Sequence, residues 1–383
     1  MKPKLKTVAD RPSWVVRSDQ VQLAVTQTGG HMAPVTFYRD SARPVQPYYI
    51  SPWHGEKLDI PAPVLRPLRG DFFCMPFGKD GTLRGRRYEY HGETATGKWA
   101  PVGLQRDGAR TTLTLTMKTP ILGGTVTKEL SLVDGQNVVY CRHTVRGGRG
   151  AVPAGHHATL AMPQRPQSVH LAISPIRFGV TNPVPTGDPA TGEYFRVRTN
   201  RRFASLSRVP LDRRDEPTAD YTAYPTGGGF VDLVAVANRR TPLPAWTAAT
   251  FEDEGFVWFS LKDPAVLPLT MIWTENHGRH FIPWNGRNSC LGLEDICSYF
   301  ALGLEASARP NPLSRAGVPT CVRLSPSRPT VVNYIQGVVK VPRGFGKVKT
   351  LRFAPGEVRF VSTTGRTVAA PVDHEFLCGC DCC

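Results

Sequence analysis

Nowhere in the 383 residues does an apolar run reach the roughly eighteen residues that a membrane-crossing helix needs. The opening stretch "MKPKLKTVADRPSWVVRSDQ" is charged and lacks the apolar run of about seven to fifteen residues typical of a secretory signal. These two absences predict a cytoplasmic chain without membrane spans. Helical periodicity is missing as well: 36 Gly and 35 Pro interrupt the chain, and no segment keeps an apolar stripe at helical spacing for about four turns. No repeat of about forty residues is present, which argues against a propeller. The nine cysteines (Cys74, Cys141, Cys290, Cys297, Cys321, Cys378, Cys380, Cys382 and Cys383) are odd in number, so a fully paired disulfide framework is excluded.

Acidic residues are also scarce, 31 against 47 Lys and Arg, for a formal net charge of +16. The bases are scattered in short groups such as "RGRR" (84–87) and "DRRDE" (212–216), several of them diluted by acids. This distribution reads as a solvated basic surface rather than a nucleic-acid site, and attraction of anionic substrates to a basic cleft stays open. A hydrophobic share of 40% is ample for a folded core.

What the chain does have is period-two alternation. In "RTTLTLTMKTPILGGTVTKELSLVDGQNVVYCRHTV" (110–145), Leu113, Leu115 and Met117 alternate with Thr, and Leu130 and Leu132 alternate again after a Gly-Gly turn. "DGQN" then turns into a third strand, which predicts a meander with one buried face. The same texture returns at 228–238, 246–263, 330–341 and 349–362. The expected class is all-β, a large antiparallel sandwich with few short helices, forming a single domain over 1–370. Residues 181–227 read as a long loop insertion, and loops of that length are usually functional or mobile. A Cys-rich tail, 371–383, ends in "CGCDCC"; its crowded spacing is a weak soft-metal signal.

Candidate chemistry concentrates in "WTENHGRHFIPWNGRNSCLGLED" (273–295). If Leu291 and Leu293 face the core, Gly292 and Glu294 lie on the opposite face. The glycine then leaves room for a ligand above the carboxylate, the alternative being an exposed glutamate at a strand end. In "AGHHATLAM" (154–162), His156 packs inward with Ala158 and Leu160, which leaves His157 and Thr159 on the other face. Imidazole and carboxylate form a proton donor and acceptor near neutral pH. Arg69, in "LRGDFFCMPFG", is either an anchor for a hydroxyl or carboxylate or the ion-pair partner of Asp71. His91, before Gly92, is a ligand contact or a turn histidine. Trp284, Arg279 and Arg287 offer the aromatic faces and planar donors that a polyhydroxylated ligand requires. Glu275, His277 and His280 could ligate a metal, but the intervening Gly and Arg and the lack of a helix build no recognisable metal site. None is expected.

The order of "LRGDFF", "HGETATGKW", the meander, "GHHATL" and "CLGLED" resembles the aldose 1-epimerases, or galactose mutarotase-like proteins, in a divergent branch of that family. The likeness runs over nearly the whole chain. It implies a β-supersandwich with a monosaccharide or sugar-derivative site on a concave face. Glu294 would then be the general base at the anomeric hydroxyl and His157 the acid at the ring oxygen, with Arg69 and His91 holding hydroxyls and Glu275 a further substrate contact. No cofactor, nucleic acid or membrane enters that chemistry. This sequence departs from the family pattern where "ATLAM" follows the histidine and Asp295 follows Glu294. The resemblance therefore also leaves room for a carbohydrate-binding protein without turnover, or for an epimerase or lyase acting on an acidic sugar.

Overall fold

The computed structural model describes residues 3–378. Strands dominate, and the α-helices among the described residues are three short ones: Gly92–Thr96, Gly303–Ala308 and Pro312–Arg315. The meander forms as the alternation dictates. Arg110–Thr119, Gly124–Val133 and Val138–Gly147 pair antiparallel, with Leu130 opposite both Leu113 and Cys141. Gly123 and Gly135, at φ +79° and +77°, supply the left-handed turns between them. No helix among the described residues is long and apolar enough to cross a membrane.

Two large antiparallel sheets carry the fold. One has nine strands, with Phe256–Lys262, Thr330–Lys340 and the meander in its middle. The other has seven, in the order Arg202–Phe203, Ile176–Thr181, Phe230–Asn238, Leu269–Asn276, Ser289–Cys297, Ala154–Ala161 and Phe73–Cys74. Between them lies a core that includes Leu113, Leu115, Trp258, Ala158, Leu291 and Leu293. The far face of the seven-stranded sheet is covered by loop residues such as Trp53, Val64 and Leu68. A three-stranded sheet (Val348–Ala354, Glu357–Ser362 and Thr367–Pro371) covers the far face of the nine-stranded one through Leu351, Val358 and Phe360. Central strands are thus buried on both faces. Phe256–Lys262 and Leu269–Asn276 are buried at every position, and Leu269–Asn276 accordingly shows no alternation in the sequence.

The interface between the large sheets also holds buried polar ties. Asp295 accepts from Ser260, Thr270 and Tyr334 and lies 2.5 Å from the Lys262 ammonium. Asp71 accepts from the Gln336 amide at 2.8 Å and sits 2.8 Å from His156 Nδ1. Asp71 is therefore the partner of a strand residue, and the ion pair with Asp71 that is one of two readings of Arg69 is replaced by Asp71–His156. Charges this deep persist only when paired and hydrogen-bonded, and these are.

Residues 181–227 carry four two-residue strands, Arg202–Phe203, Val209–Pro210, Thr218–Ala219 and Ala223–Tyr224. They are pinned to the seven-stranded sheet by Asp232, which accepts from Arg196 at 2.8 Å and from the Tyr221 hydroxyl at 2.6 Å. In the C-terminal segment, Leu377 packs on the nine-stranded sheet and Asn333 donates to the Phe376 carbonyl, while Cys378 is exposed. Cys380, Cys382 and Cys383 lie outside the described residues.

Candidate active site

In an antiparallel pair, residues directly opposite one another point to the same face. Ala154–Ala161 and Ser289–Cys297 are neighbours, and their register sets His157 opposite Glu294 and His156 opposite Asp295. One face of this strand pair therefore sends His156 and Asp295 into the core, and the other sends His157 and Glu294 into a cavity of about 500 Å³. His157 Nε2 stands 3.4 Å from Glu294 Oε1. Both side chains are deeply buried, Glu294 at 1% and His157 at 6% exposure, which excludes the surface-glutamate alternative.

Burial pushes the Glu294 carboxyl well above the usual carboxylate range. It also holds the His157 imidazole down to about 4. Burial thus favours the neutral form of each group, and a proton on the pair favours the carboxyl over the imidazole. The Glu294 Oε2 atom has no hydrogen-bond partner, while His157 Nδ1 meets Thr159 Oγ1 at 3.2 Å.

Aromatic rings fix the imidazole in place. Phe72 stacks on His157 at 4.6 Å and on its other neighbour His31 at 3.9 Å, and Trp273 meets His157 edge-on at 5.6 Å. Gly292 sits opposite both Thr159 and Trp273. A Cβ there would lie 2.9 Å from Glu294 Oε1 and 3.0 Å from the Trp273 ring. The space expected above Gly292 for a ligand is thus taken by the indole and by the carboxylate itself.

His91 and Gly92 both adopt left-handed backbone, at φ 61° and 76°. Gly92 has no room for a Cβ, since the Met75 carbonyl oxygen would lie 2.3 Å from it. This turn swings the His91 ring to 5.0 Å from that of His157. The Gly78 amide donates to His91 Nδ1 at 3.3 Å, so Nε2 carries the proton of a neutral imidazole. Burial holds His91 well below its ordinary value, which keeps it a neutral donor.

Of the residues expected from the sequence, Glu294, His157, His91, Arg279 and Trp284 line this one cavity. Arg279 lies over the rings of Trp284 and Trp273 at 4.9 and 5.7 Å. Its Nε donates to Glu193 at 2.7 Å, and its Nη1 stands 3.6 Å from Glu275. Glu275 is thus behind the wall, where it accepts from the Gly278 amide and braces Arg279. The other three lie elsewhere. Arg69 is turned away, its guanidinium donating to the carbonyls of Pro67 and Val8. His277 Nδ1 pairs with the Gly286 carbonyl on an exposed turn, and Arg287 makes a bidentate pair with Glu56. Among the described residues no group of three or more His, Cys, Asp or Glu is placed to hold a metal ion.

Sequence reasoning missed Phe72, Met271, Trp273 and Tyr90, all of which line the cavity. Phe72 lay inside a stretch singled out for Arg69, and its neighbour Phe73 faces the opposite core. Asn182, Thr186 and Glu193 come from the 181–227 excursion, whose length was the available signal. A second cleft, lined by Arg177, Phe178, Arg202 and Arg315, is shallow and holds no acid–base pair.

No family profile and no curated protein matches the sequence. Solved structures do. A galactose mutarotase-like protein from Clostridium acetobutylicum is similar at 10% identity and a TM-score of 0.59, over 89% of this chain and 99% of its own. A galactose mutarotase-related enzyme from Lactobacillus acidophilus is similar at 10% identity and a TM-score of 0.53, over 86% and 99%. A galactose mutarotase-like protein from Lactobacillus casei is similar at 10% identity and 0.52, over 85% and 100%. The architecture is the galactose mutarotase-like sandwich.

Proposed function

We propose that this galactose mutarotase-like sandwich is an aldose 1-epimerase-like enzyme that interconverts the anomers of a sugar. The observation that carries the reading is the buried carboxyl–imidazole pair itself, His157 Nε2 and Glu294 Oε1, 3.4 Å apart on the wall of one cavity. Ring opening needs one group to take the proton of the anomeric hydroxyl while another protonates the ring oxygen; closure needs each to reverse. The bond from C1 to the ring oxygen breaks, C1 becomes an aldehyde, and rotation about the next bond lets closure occur on the other face. A pair that shares one proton supplies an acid and a base in either direction. Sugar hydroxyls entering the cavity favour the ionised carboxylate, which makes Glu294 the base and His157 the acid. His91, a neutral Nε2–H donor, binds an oxygen beside them, and the aromatic wall that includes Trp273 meets the C–H surface of the ring.

The test is exchange NMR or polarimetry on a panel of aldoses. Wild type should accelerate anomer interconversion, and Glu294→Gln and His157→Asn should each lose about a hundredfold or more. Equal rates for wild type and Glu294→Gln would sink the reading, and sugar binding that survives the substitution without any turnover would instead indicate a binding protein. Solvent deuterium appearing on a sugar carbon would mark carbon epimerisation or lyase chemistry.

A further inference from the structure

The cavity is divided by depth. Its floor is polar and buried, with Glu294, His157 and His91 at 1%, 6% and 6% exposure. Met271 stands directly opposite Glu294 on the neighbouring strand, and one wall is aliphatic: Val64 and Leu65 come from the single-turn helix Pro63–Leu65, and Leu68 and Leu302 continue it. At the rim, Val184, Phe281 and Tyr90 line the opening while being 44%, 40% and 37% exposed. Nine large apolar side chains are this exposed among the described residues, and three of them ring this one mouth. Scattered apolar exposure needs no explanation, but a contiguous apolar rim around a built site marks what the site receives.

The charges of the wall are already matched. Arg279 sits between Glu193 and Glu275, and Asp80 is paired with Arg87. Lys79 is left at the mouth, exposed, which is no cradle for an anion. The volume is also larger than a free hexose requires, since clefts of about 500 Å³ hold drug-sized ligands.

We propose that the ligand of this cavity is a neutral aldose carrying an apolar substituent on the half of the ring away from its anomeric carbon. The proposal rests on the acid–base reading of His157 and Glu294, because that reading points the anomeric carbon at the floor. The C1 hydroxyl must stay free to give up its proton, so the substituent is attached elsewhere and extends past Val64 and Leu65 to the rim. There it covers Val184 and Phe281.

Binding and turnover are measured separately. Titration calorimetry compares galactose and glucose with their 6-O-hexyl ethers, and with hexyl glycosides in which the chain blocks C1. The 6-O-hexyl sugars should bind at least about tenfold tighter than the parents and tighter than the C1-blocked isomers. A Val184→Asn, Phe281→Asn variant, altered only at exposed positions, should lose most of that preference. Anomer exchange is then followed on the same sugars. Preferential binding with no turnover supports the ligand class and overturns the catalytic reading. Turnover with equal affinity for parent and 6-O-hexyl sugars overturns the ligand class and leaves catalysis standing. A preference that survives in the double variant, or equally tight C1-blocked sugars, overturns the placement, and no binding of any sugar overturns both.

Discussion

At the scale of single residues, the site is built by burial acting on two groups in opposite directions. Loss of water raises the Glu294 carboxyl and lowers the His157 imidazole, so each group is pushed toward its neutral form. The expected kcat/KM profile follows from the signs. Activity falls as pH drops through about 4, where His157 takes a second proton, and falls again at high pH, where Glu294 loses its own. A profile with its acid limb near the ordinary histidine value of about 6.5 would contradict the assignment. Gly292 is the second lever. Gly292→Ala would set a methyl group between the Glu294 carboxyl and the Trp273 ring, and should cut kcat/KM about tenfold or more while circular dichroism stays unchanged. His157 and Glu294 were legible in the sequence because alternation assigns each a face. Arg69, His277 and Arg287 mislead for a shared reason: each is a polar residue in a promising stretch whose side chain is engaged elsewhere, by backbone carbonyls or by Glu56.

At the scale of elements, one pair of strands performs two tasks, and the doubling in "GHH" and "LED" is its trace in the sequence. The cavity face carries His157 and Glu294; the core face carries His156 and Asp295, whose partners come from the opposing sheet and from Asp71. Asp295, an acid where the resembling family has a neutral polar residue, is thereby explained as the anchor of Lys262 and Tyr334. Asp295→Asn leaves the Lys262 ammonium buried with a neutral neighbour and should cost about 3–5 kcal/mol in denaturant unfolding. The combined Asp295→Leu, Lys262→Met chain should recover part of that, since both charges go but the Ser260, Thr270 and Tyr334 hydroxyls lose their acceptor, and a double variant as weak as the single one would refute the pairing argument. The meander was readable for its clean period of two, whereas a strand buried on both faces, such as Leu269–Asn276, offers no alternation to read. The inter-sheet ties were not readable at all, since no local pattern announces which distant residue a buried acid will meet.

At the scale of the whole molecule, the cover on each sheet's outer face decides what is exposed. The C-terminal three-stranded sheet shields Trp246, Phe259 and Leu261 on the outside of the nine-stranded sheet. A chain ending at Val341 should expose that face and aggregate, as read by light scattering and gel filtration. A soluble, fully active product of that truncation would show the cover to be dispensable. Fold class was legible because composition, punctuation and alternation all act along the chain; the cavity was legible only in part, because loops far apart in sequence complete it. The adjacency of the histidine and glutamate strands, which are separated in the chain by four strands of the same sheet and four of the other, has one more consequence. Such long-range closure comes late in folding and slowly. Catalysis is then a gauge of complete assembly: during refolding, turnover should return only after strand-rich circular dichroism has recovered, and an isolated half of the chain has nothing for the gauge to read.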